Sequence, residues 1–110
     1  HVIETHEGYG NWLHGEAVAV GMVQAAELSQ RMGWLSHDDV ARIKRVLTLA
    51  NLPINPPPIA TEVALDLMGH DKKVKSGKIR LILLKSLGQA VLTDDFDMPL
   101  LTEVLAQRTV

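Results

Sequence analysis

Gly8-Tyr9-Gly10-Asn11-Trp12-Leu13-His14-Gly15-Glu16-Ala17-Val18-Ala19-Val20-Gly21-Met22 is the stretch on which the fold turns. Its first half is a glycine-punctuated loop. Its second half opens a helix that is apolar on nearly every side, and such a helix is usually central in its domain. His14 stands at the seam. A side chain there is held by a rigid, buried element yet faces a loop that substrate can reach, which suits a metal ligand or a catalytic group.

Downstream, this helix is expected to run from about His14 to Met32, with Gly33 ending it. Val18, Met22, Ala25, Ser29 and Met32 form one stripe, and Ala17, Val20, Gly21 and Leu28 fill adjoining faces. Upstream, residues 1–7 read as the last turns of a helix stopped by Gly8, with Trp12 and Leu13 anchoring the loop in the core. Ser36 caps a third helix, with Asp39 in the capping-box position, and Val40, Ile43, Leu47 and Ala50 form its core stripe. Pro53-Ile54-Asn55-Pro56-Pro57-Pro58 reads as an extended strap over the surface. Thr61 starts a short helix that Gly69 and His70 end. Residues 79–84 and 89–93, with Gly88 between them, read as a hairpin. Asp97 caps a final helix with Pro99 in its first turn. The expected fold is mainly α, a helical-bundle-like domain over residues 1–110 with one short β-hairpin.

Composition narrows the chemistry. The net charge is −2, which gives no electrostatic case for nucleic acid or an anionic membrane. There is no cysteine, so disulfides and thiolate metal sites are excluded, and any metal must use histidine, carboxylate or water. No apolar run reaches the roughly eighteen residues of a membrane span, and no signal peptide is visible. The chain opens on His1-Val2 without a methionine, which raises the expectation that it belongs to something longer.

Among individual residues His14 is the sharpest candidate, as a metal ligand on a stiff element; the plainer alternative is a helix cap or a buried contact. Glu16 can be a ligand or a partner of the ligand. His1 and Glu4 lie one turn apart and can both face His14 across the loop, although a partly exposed helix end explains them as simply. One histidine cannot hold zinc alone, and His1 and His6 lack the spacing of a helical zinc pair. Lys72, Lys73, Lys75 and Lys78 form the dense positive cluster, suited to phosphate or carboxylate, or else a solvated edge. The tryptophans and Phe96 are too scattered for a base-stacking platform, and no dinucleotide fingerprint, P-loop or nucleophile elbow occurs.

The run from Gly8 to Met22, with His1-Val2-Ile3-Glu4 before it, strongly resembles the C-terminal domain of bacterial 3-dehydroquinate synthases. Asp71-Lys72-Lys73 and Gly77-Lys78-Ile79-Arg80-Leu81-Ile82-Leu83 resemble that family's later motif. The resemblance implies a cytoplasmic, metal- and NAD-dependent phosphate lyase of the shikimate pathway. Such an enzyme converts 3-deoxy-D-arabino-heptulosonate 7-phosphate to 3-dehydroquinate and phosphate in a cleft between a nucleotide-binding α/β domain and a helical domain. It implies that His14 is a zinc ligand and that two further ligands lie upstream of His1. It implies that His1 sits near the phosphate end and reacting centre of a sugar-phosphate substrate, and that Lys73 or Lys72 contacts phosphate. It also implies a homodimeric full-length enzyme, with the 110 residues alone inactive and holding zinc and NAD poorly. A related sugar-phosphate cyclase and a non-catalytic helical interaction module remain as alternatives.

Overall fold

The computed structural model describes residues 1–8, 11–69 and 79–107. Five helices and one hairpin follow in order: α1 (Val2–Glu7), α2 (His14–Arg31), α3 (His37–Leu49), α4 (Thr61–Gly69), β1 (Leu81–Ser86), β2 (Gln89–Thr93) and α5 (Met98–Ala106). The mainly α domain with a single antiparallel hairpin is the architecture expected from the sequence.

Helix α2 is the shared wall of the molecule. Each group of buried side chains takes members from it. Ala17 and Val20 meet Ile3 of α1. Ala19 and Val23 meet Leu47 of α3, and Ala26 meets Leu35 and Val40. Leu28 meets Leu83 of β1 with Leu101 and Val104 of α5. Small residues at 17, 19 and 26 let neighbouring elements approach closely, so one helix can serve several sides.

The helix ends where the sequence says it should. Gly33 takes a φ of +82°, and the N–H groups of Gly33 and Trp34 return to the carbonyls of Gln30 and Ser29. Ser36 and Asp39 form a reciprocal capping box, each side chain accepting the other's backbone N–H at 3.0 Å. Asn51, at φ 61°, closes α3, a conformation asparagine tolerates better than most residues. The proline strap is pinned from below: Leu52 and Ile54 pack on the Ala19–Val23–Leu47 group.

Two expectations need correction. Leu13 does not anchor the loop; it is 69% exposed, and only Trp12 packs inward, beside Ile3, Ala17 and Val20. Val18 and Met22 share a stripe as expected, and the two residues are 42% and 46% exposed. With three sides of α2 already occupied, this fourth side borders a cavity instead of the core. The hairpin also starts later than expected, at Leu81, and runs on to Ser86, with an irregularity between Leu84 and Ser86.

Ser29 fastens the hairpin to α2. It is wholly buried; its hydroxyl donates to the Ala25 carbonyl at 2.8 Å and accepts the Leu84 N–H at 2.9 Å. Among the described residues β1 has a strand neighbour on one side alone, so this hydroxyl satisfies a backbone donor on its other edge. Asp97 caps α5 through the Leu100 N–H, with Pro99 in the first turn where its missing donor costs nothing.

Candidate functional site

The site is built from two short pieces of backbone. Helix α1 is held down by Ile3, which is buried against α2. That packing brings Glu4, the next residue, under the start of α2. There the Glu4 Oε1 lies 3.0 Å from the His14 Nδ1. The two side chains are unequal: Glu4 keeps 11% of its side-chain surface, His14 73%. A carboxylate can only accept, so the proton of a neutral His14 ring belongs on Nδ1 and the lone pair on Nε2.

Glu16, expected as a ligand or as the partner of His14, has another task. Its Oε1 accepts the Leu13 N–H at 3.0 Å and so caps the first turn of α2. The partner of His14 comes from α1. The signal for it in the sequence was the one-turn spacing of His1 and Glu4.

A cavity of about 510 Å³ opens beside this pair. His1, Glu4 and His14 line it, together with the Val18–Met22 side of α2 and Arg80. The structure therefore brings three of the singled-out residues to one cavity. Arg80 is a lining cation with little sign of that role in the sequence, since it stands just after the lysine cluster and inside an apolar run. His6 pairs instead with its neighbour Glu7 at 2.7 Å, and His37 lies on the exposed start of α3. Lys72, Lys73, Lys75, Lys78 and His70 lie outside the described residues.

The donor set fits a divalent metal in part. A metal-bound histidine ordinarily gives its second ring N–H to a carboxylate or carbonyl, and Glu4 supplies that acceptor. Yet no group of three or more potential ligands comes together among the described residues. His14 can supply one ligand of a metal site, and other ligands must come from elsewhere.

Comparison with known proteins bears on this arrangement. Residues 1–74 match the family model described as 3-dehydroquinate synthase C-terminal. The chain is 78% identical over all 110 residues to a 3-dehydroquinate synthase of Psychrobacter arcticus, of which it covers 28%. It is 58% identical over 105 residues, 96% of the chain, to one of Acinetobacter baumannii, of which it covers 29%. Among solved structures it resembles 2-deoxy-scyllo-inosose synthase complexed with carbaglucose-6-phosphate, NAD+ and Co2+. The TM-score is 0.77 at 28% identity, over 99% of this chain and 32% of that one. It also resembles the 2-epi-5-epi-valiolone synthase of Streptomyces hygroscopicus with NAD+ and Zn2+ bound. There the TM-score is 0.76 at 25% identity, over 88% of this chain and 27% of that one.

Proposed function

The chain belongs to the 3-dehydroquinate synthase C-terminal family, and from that premise we propose that it is the helical part of a longer enzyme acting on a seven-carbon sugar phosphate. It spans less than a third of the curated relatives it matches, so the reaction belongs to the full-length protein. That reaction converts 3-deoxy-D-arabino-heptulosonate 7-phosphate to 3-dehydroquinate and inorganic phosphate. The observation that carries the reading is the exposed His14 ring, held by a buried carboxylate at the edge of a cavity that His1 also lines.

In this reading His14 contributes a ligand to a divalent metal whose other ligands precede His1. The metal would polarise the substrate hydroxyl, and NAD, held by a separate nucleotide-binding domain, would accept and return the hydride. His1 donates a hydrogen bond, or moves a proton, at the phosphate end of the substrate. Lys73 or Lys72 neutralises the departing phosphate. The cavity side of α2, with Val18 and Met22, shields the reacting carbons from water.

The structural likeness to the inosose and valiolone synthases favours a second reading, a cyclase for another sugar phosphate. Product analysis of the full-length protein against a panel of six- and seven-carbon sugar phosphates separates the two. Release of phosphate with formation of 3-dehydroquinate from the heptulosonate alone is the expected result. Turnover of a different sugar phosphate in its place would transfer the assignment to the cyclases. The 110-residue chain by itself is expected to release no phosphate.

A further inference from the structure

We propose that Glu4 is a positioning residue for His14, holding the imidazole as the Nδ1–H tautomer with its plane fixed, so that Nε2 is the nitrogen offered to a metal. The inference rests on the metal-ligand reading of His14.

Three observations carry it. First, Glu4 is a buried carboxylate, only 8% exposed, on a helix of six residues. A buried carboxylate with an acceptor-only surface needs a donor, and His14 Nδ1 provides one at 3.0 Å. Second, the His14 side chain is 73% exposed, so packing does little to select its rotamer or tautomer. Among the described residues the Glu4 carboxylate is the polar contact that can select both. Third, Glu4 is itself immobilised, because Ile3 beside it is locked against Ala17 and Val20. The order imposed on the ring thus originates in the packing of α1 on α2. Glu16 is directed instead to the Leu13 N–H, which its Oε1 accepts at 3.0 Å.

The test uses the full-length protein with Zn2+ or Co2+ in chelator competition, and 15N-histidine spectra of the metal-free form. Glu4→Ala is expected to weaken metal binding by about 10–100-fold. It should also move His14 from the Nδ1–H tautomer towards the mixture seen for free imidazole. Glu4→Gln keeps the shape and an acceptor oxygen and should fall between wild type and alanine in both readouts. It carries the measurement if the alanine variant fails to fold. An unchanged tautomer in either folded variant overturns the proposal, even if affinity falls, because Glu4 would then act as a ligand or through the fold. An unchanged affinity with an altered tautomer overturns it as well. His14→Ala serves as the separate control: if it leaves metal affinity intact, the metal reading itself fails, and the role of Glu4 falls with it. If it abolishes binding while both Glu4 variants match wild type, the metal reading stands and only the positioning role is lost.

Discussion

Two polar side chains are buried among the described residues, Glu4 and Ser29, and they serve opposite ends of α2. At the far end the Ser29 hydroxyl both donates and accepts, to Ala25 and Leu84, and both partners are backbone. Nothing is left over, so the group acts as a fastener. At the near end Glu4 spends its carboxylate on a histidine ring that stays exposed, with one nitrogen uncommitted among the described residues. Burial of a polar group marks scaffold in the first case and, on the proposed role of Glu4, function in the second. The partner makes the difference: a backbone group leaves nothing over, whereas an exposed ring keeps a nitrogen that a ligand could use.

Substitutions can break this contrast. Leu28→Ala, next to Ser29 in the group with Leu83, Leu101 and Val104, should cost about 2–5 kcal/mol in thermal or urea denaturation. It should leave metal affinity unchanged in the folded fraction. If affinity fell as far as stability, the two ends would not be separable. His14→Ala should act chiefly on the metal. Metal affinity of the full-length protein should fall by more than the ~100-fold typical of outer partners of a ligand. Denaturation should shift by about 1–3 kcal/mol, because the buried Glu4 carboxylate loses its donor. Ser29→Ala leaves the Leu84 N–H without its acceptor and should cost about 1–3 kcal/mol with no change in metal binding. Glu16→Ala sharpens the comparison from the near end. Loss of the cap at Leu13 should cost about 0.3–1 kcal/mol and fray the first turn, read as faster amide exchange at residues 14–17.

Much of the scaffold end was legible in the sequence because its signals are local. Gly33, the Ser36–Asp39 box, Asn51 before the proline strap, Gly88 and Asp97 each announce a boundary through backbone conformation or a hydrogen bond within a few residues. The site end was legible only in outline. His14 was found from its place between loop and helix. Two carboxylates, Glu16 and Glu4, stay open as its partner in the sequence; the structure selects Glu4, a contact that reaches back ten residues across the loop. The sequence shows Val18 and Met22 as one stripe, but not that this side of the helix stays 42% and 46% exposed. Periodicity marks which residues share a side of a helix, but not whether protein fills the space opposite. Ser29 hid in the same stripe for a related reason, since a serine among apolar residues carries no sign that its acceptor role lies on a distant strand.

The Ser29 fastener also bears on the order of events in folding. It joins positions separated by 55 residues, while the helical turns of α2 and the hairpin register need only near neighbours. Closing a loop of that length costs about 3–4 kcal/mol of chain entropy before any contact rewards it. Helix and hairpin are therefore expected to form first, and their docking through the serine to complete after the rate-limiting step if that step is closure by the surrounding apolar contacts. Loss of the hydroxyl should then leave the refolding arm of a stopped-flow chevron nearly in place and steepen escape from the native state. On that outcome the Ser29 bond, beside the Leu28–Leu83 contact, is a brake on unfolding and contributes little to the speed of assembly.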